Sequence, residues 1–181
     1  MSFTRRTAAA LAAVLIPFGA GASRAADVPA GSGQGRLVLE EFFRGNLVAE
    51  GVFRNTRDGS TRGLKVRMRG DWDGRTLTLV EDFVYSDGEK DRKTWRFTKV
   101  GEGRYTGTRE DVIGTADIRQ RGNDVLLDYT ARVTTKDGSS YNIRFADVLK
   151  LTGPRTVLNT ADLTAYWFFD VGKVELNIRR L

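Results

Sequence analysis

From Leu47 onward the chain alternates apolar and polar residues with a period of two, the pattern of strands that bury one face. Asp58-Gly59, Asp73-Gly74, Asp87-Gly88 and Asp137-Gly138 punctuate the alternation, and Gly101-Glu102-Gly103 and Gly122-Asn123 break it between the last two. Both residues of Asp-Gly tolerate the positive φ of a tight hairpin turn. The pattern predicts an all-β fold: one antiparallel up-and-down meander of about nine to ten strands, closed into a barrel over residues 37–181. Leu37 to Phe43 is apolar but irregular, which predicts a short helix or plug at one barrel end.

Turn chemistry extends this to strand register. A two-residue turn at Asp73-Gly74 pairs Gly70 with Leu77, Met68 with Leu79, Val66 with Glu81 and Leu64 with Phe83. A three-residue turn at Ser86-Asp87-Gly88 pairs Leu79 with Trp95, Leu77 with Phe97, Glu81 with Lys93 and Asp82 with Arg92. The same rule at Lys136-Asp137-Gly138 pairs Val133 with Tyr141, Ala131 with Ile143, Tyr129 with Phe145 and Leu127 with Asp147. At the end of the chain Val174, Leu176 and Ile178 face inward, in a strand able to close the barrel against an early one.

The inward face is greasy and aromatic, with three ionisable intruders: Glu81, Lys93 and Asp147. A lone buried charge costs several kcal/mol, so each must pair, stay hydrated or meet a ligand. Glu81 and Lys93 are cross-strand neighbours able to neutralise each other. Asp147 has no evident partner, though an arginine or a tyrosine hydroxyl could reach it. The candidate ligand-binding set is Trp72, Leu79, Glu81, Phe83, Lys93, Trp95, Tyr129, Phe145 and Asp147. A solid aromatic core, with the charges paired at the barrel mouth, is the competing reading. Outward Lys65, Arg67, Arg69, Arg92 and Arg96 lie near Asp71, Asp82 and Asp91 and read as a solvated mixed-sign surface, with a membrane-docking patch as the alternative. The Tyr166-Trp167-Phe168-Phe169 cluster reads as core capping a barrel end, or else as a partner or membrane contact.

Residues 1–25 read as a removed export signal. Arg5-Arg6 precede an apolar stretch from Ala8 to Ala20, and Ser23-Arg24-Ala25 offers a cleavage site. The two arginines fit the twin-arginine route or the general secretory one. Residues 26–36 read as a flexible lead-in, rich in Pro, Gly and Ser between Asp27 and Gln34. Past the leader, 26 basic and 23 acidic residues leave a balance of +3, too modest for a nucleic-acid binder. The chain has no cysteine and no histidine, so disulfides, a lipoprotein anchor, thiol or imidazole catalysis and nearly all zinc, copper and haem sites are excluded. No Ca²⁺-binding loop is present, and no metal or cofactor is expected.

Leu79-Val80-Glu81-Asp82-Phe83-Val84-Tyr85, Asp87-Gly88-Glu89 and Arg92-Lys93-Thr94-Trp95-Arg96 together resemble the bacterial domain of unknown function 3833 family. So do Gly107-Thr108, Asp111-Val112-Ile113-Gly114, Phe145-Ala146-Asp147, Leu158-Asn159 and Val171-Gly172. The resemblance implies a small exported, lipocalin-like β protein with links to membrane-lipid or fatty-acid modification. It implies no reaction, cofactor or catalytic residue. Gly45-Asn46-Leu47 departs from the Gly-x-Trp of true lipocalins.

The resulting expectation is a periplasmic or secreted barrel that binds an apolar or amphipathic small molecule, a fatty acid or lipid, in its interior. Two alternatives stand beside it. One is a carboxylate-dependent isomerase, cyclase or hydrolase in the same cavity, which needs a raised pKa at Glu81 or Asp147. The other is a non-catalytic interaction module with a solid core.

Overall fold

A computed structural model describes residues 35–181, except Lys136, Trp167 and Phe168. The expected export signal and most of the lead-in lie outside the described residues. The ten strands are β1 (Gly45–Asn55), β2 (Thr61–Trp72), β3 (Thr76–Tyr85), β4 (Lys90–Gly101) and β5 (Arg104–Thr108), then β6 (Ala116–Arg121), β7 (Asp124–Thr134), β8 (Ser140–Gly153), β9 (Thr156–Ala165) and β10 (Phe169–Arg180). Each pairs antiparallel with its neighbours in the chain, and β1 pairs β10 to close the barrel. Closure removes the free edges that would otherwise invite aggregation. The glycines of all four Asp-Gly pairs have positive φ, from 72° to 97°, as the turns require.

Both three-residue turns give the expected registers. Glu81 lies opposite Lys93 and Leu79 opposite Trp95, while Tyr129 lies opposite Phe145 and Leu127 opposite Asp147. The β2–β3 register departs from expectation. Gly70 faces Leu79, Met68 faces Glu81, Val66 faces Phe83 and Leu64 faces Tyr85. The turn centres on Gly74-Arg75, because the Asp73 carboxylate accepts from the N–H groups of Arg75 (2.8 Å) and Thr76 (2.7 Å) and so holds Asp73 before the turn. Moving a turn by one residue shifts the register by two. Every partner changes, and every side chain keeps its face.

The apolar segment before β1 is a plug. Its helix α1 (Leu39–Phe42) is a single turn that buries Leu39, Glu40 and Phe42, and Leu37 and Phe43 are buried beside it. Gly70 makes room for it: a β-carbon there would lie 1.8 Å from the Phe43 carbonyl oxygen. Trp72, at the same end of β2, packs half-buried against this part of the core.

Candidate functional site

Above the plug the barrel is hollow. A cavity of about 1700 Å³ runs from Leu39 and Phe43 to the end carrying the β1–β2, β3–β4, β7–β8 and β9–β10 connections, where Arg57, Asp87, Thr135 and Tyr166 form its rim. Typical small-molecule sites enclose roughly 300–1,000 Å³. The solid-core expectation fails on this volume.

One wall is an aromatic ladder. Trp95 stacks on Phe97 with ring centroids 4.9 Å apart and meets the Tyr129 edge at 5.0 Å, and Tyr129 stacks on Phe145 at 5.0 Å. Arg109 inserts into this wall, its guanidinium carbon 4.6 Å from the Trp95 ring centroid and 5.3 Å from that of Tyr129.

Arg109 reaches the interior because β5 and β6 are short. β5 stops pairing with β4 at Arg96, and β6 stops pairing with β7 at Asp128. The connection 109–115 fills the notch. Glu110 accepts from the Thr94 N–H at 2.9 Å on one side. On the other, Ile113 N–H donates to Thr130 and Arg132 N–H donates to Asp111, both at 2.8 Å. Backbone groups that the short strands leave open are thereby satisfied.

Asp111 is the electrostatic hub. Its carboxylate accepts two hydrogen bonds from Arg109 (2.7 and 3.3 Å) and lies 3.1 Å from the Lys93 ammonium, which also pairs with Asp91 at 2.9 Å. Burial pushes the Asp111 carboxyl up, but Arg109 and Lys93 outweigh it and hold the group below its ordinary value. The expected Glu81–Lys93 neutralisation is corrected here. The two are cross-strand partners in the backbone, yet the lysine turns to Asp91 and Asp111.

Glu81 and Asp147 are both buried. Burial raises each to about 7; Arg109 opposes the shift at both, while Asp111 and Glu110 add to it at Glu81 and Glu81 and Asp128 add to it at Asp147. The Asp147 partner proves to be an amide: Asn159 Nδ2 donates to Oδ1 at 2.9 Å. Asp147 Oδ2 and Asn159 Oδ1 are buried with no hydrogen-bond partner.

Of the residues chosen from sequence, Leu79, Glu81, Phe83, Lys93, Trp95, Tyr129, Phe145 and Asp147 line the hollow. Trp72 does not, because its turn lies at the plugged end. Arg109, Asp111 and Asn159 also line it, and sequence reasoning did not choose them. Arg109 follows the last strand residue of β5 and carries no periodic signal. Tyr166 and Phe169 are exposed at the rim, correcting their assignment to the core; Tyr166 adopts a φ of +50° as the chain turns past the barrel end. Trp167 and Phe168 fall outside the described residues. Among the described residues no cluster of three or more side chains could hold a metal ion, and no helix is long and apolar enough to cross a membrane.

Fold and site define a ten-stranded up-and-down β-barrel, plugged at one end and enclosing a partly charged hollow. The chain belongs to the family described as protein of unknown function (DUF3833), whose sequence model matches residues 20–180. No curated protein matches it. Among solved structures, the S-type phycobiliprotein lyase CPES from Guillardia theta aligns with a TM-score of 0.57 at 10% identity, covering 81% of this chain and 94% of that one. The redesigned β-barrel mFAP1, bound to DFHBI, aligns with a TM-score of 0.42 at 14% identity over 78% of this chain and 97% of that one. At these identities the likeness to the lyase is one of fold, and nothing rests on the second.

Proposed function

We propose that this protein is a binding barrel for an apolar or amphipathic, lipid-like small molecule, acting in the periplasm or outside the cell. The volume of the hollow carries the reading: about 1700 Å³ lined by the Trp95–Tyr129–Phe145 ladder has no apolar filling of its own. Each methylene buried there contributes about 0.8 kcal/mol, so a ten-carbon tail brings roughly 8 kcal/mol before the cost of association. That a barrel of this build serves as a phycobiliprotein lyase is in keeping with an interior given over to function.

Nile red, a neutral and apolar fluorophore, tests the hollow directly. It should bind at one site and brighten. Ala161→Phe, at a buried lining position, takes up part of the hollow and should weaken the signal. Failure of the native protein to bind the dye or any apolar probe sinks the reading.

Catalysis by two carboxylates has one observation in its favour, the raised acids Glu81 and Asp147. Deuterium from heavy water entering a co-purified ligand at carbon, in the native protein and not in Glu81→Gln, would establish proton transfer.

A further inference from the structure

The polar groups of the hollow are unbalanced. Deep in the lining three acids, Glu81, Asp111 and Asp147, lie with two bases, Lys93 and Arg109, while nearer the mouth four more acids are matched by four more bases. Both bases are already engaged by Asp111, and Lys93 by Asp91 as well. A fatty-acid carboxylate seated at this depth would therefore find both cations already committed. Beside them, Asp147 Oδ2 and Asn159 Oδ1 are both buried and unpartnered, and once Asp147 is ionised both are acceptors without a donor. Leaving a buried acceptor unmatched costs free energy that a ligand can recover by supplying an N–H. Phe83 flanks Glu81 on β3 and Phe145 flanks Asp147 on β8, and an aromatic face attracts a desolvated cation.

We propose that the hollow selects an amphiphile whose head is a cationic hydrogen-bond donor, an ammonium or amidinium group, seated against Asp147 and Glu81. The proposal rests on the reading of the barrel as a binding protein and names the chemistry of its ligand.

Proton linkage follows from the surroundings of the two acids. Asp147 is faced by Tyr129 from β7, Asn159 from β9, Glu81 from β3 and Arg109 from the 109–115 connection, with Asp128 contributing through β7. Glu81 is faced by Lys93 from β4 and by Arg109, Glu110 and Asp111. In the empty barrel both acids hold protons up to about pH 7. A singly charged cationic head requires one of them ionised, so its binding expels a proton and tightens as pH rises. For one such acid the gain between pH 6 and pH 8 is about tenfold.

Three probes with one tail test this: dodecylamine, dodecanol and dodecanoate, each below its micelle concentration, competing with Nile red at pH 6, 7 and 8. Dodecylamine should bind at least tenfold tighter than dodecanoate at pH 8, lose about tenfold at pH 6, and release protons in calorimetry run in two buffers of different ionisation enthalpy. With its own Nile red affinity measured first, the double variant Glu81→Gln with Asp147→Asn should lose the preference, its affinities for dodecylamine and dodecanoate differing by less than about threefold at pH 8. Dodecanoate binding as tightly as the amine, or an amine preference that survives the double variant, overturns the proposal. If Nile red and all three probes fail to bind, the binding-barrel reading itself is lost.

Discussion

Glu40 at the plugged end and the Glu81–Asp147 pair in the hollow are equally shielded from solvent and behave oppositely. Glu40 accepts from the Lys99 ammonium at 2.6 Å and from the Tyr105 hydroxyl. Burial pushes it up, but these two donors more than offset that, and it stays below its ordinary value; burial, and then the same contact, raise Tyr105. Its work is structural, tying α1 to β4 and β5. Asp147 receives one amide N–H and keeps an orphan oxygen, and Glu81 enters no ion pair among the described residues. Donor supply and depth together separate a latch from a site: Glu40 lies near the barrel end with two donors, while Glu81 and Asp147 lie deeper with fewer.

The largest expected effect tests that contrast through pH. Glu81 and Asp147 bind protons more tightly in the folded chain (about 7) than in the unfolded one (4.5 and 3.8). Their contribution to stability is therefore complete at low pH and falls as pH rises from about 4 to about 7, by roughly 3 to 4 kcal/mol per acid. Denaturant midpoints of the native protein minus those of the Glu81→Gln, Asp147→Asn variant should decline across pH 5 to 8. A flat difference would show that the two acids are ionised throughout.

Glu40 should behave in the opposite sense. Its folded value lies below the unfolded 4.5, so its contribution is present above that pH and is lost as pH falls through the folded value. Glu40→Gln should cost about 2 kcal/mol at pH 7, as expected for charge-assisted bonds that leave Lys99 and Tyr105 half matched, and the deficit should shrink in acid. Chemical denaturation at pH 7 and pH 3 measures both. The smallest effect compares two tryptophans. Trp72→Phe and Trp95→Phe should each cost about 1 kcal/mol, but only Trp95→Phe should alter Nile red binding. Equal effects on the dye would erase the boundary between plug and hollow.

The site was half legible in the sequence, and the division is specific. Glu81 and Asp147 stood out because a period-two pattern makes a charged inward residue visible, and turn length set their partners Lys93 and Leu127. Strand pairing does not say where a long side chain goes, so Lys93 was assigned to Glu81 and found with Asp91 and Asp111. Asn159 escaped notice because an inward amide raises no alarm until its carbonyl is seen without a donor. The Asp73 cap, a side-chain choice between two adjacent turns, moved the β2–β3 register by two.

Alternation and Asp-Gly turns alone determined that this chain forms an antiparallel meander, and which residues face its interior, because local sterics and burial act on neighbours in sequence. Whether that interior is filled depended on closure between β1 and β10, separated by more than a hundred residues, and on a plug seated over Gly70. The tertiary structure also decided the balance of the site, since Arg109 arrives from a connection without periodicity and engages Asp111. Electrostatics in a low-dielectric hollow is a matter of distances across space, and no local pattern along the chain encodes them.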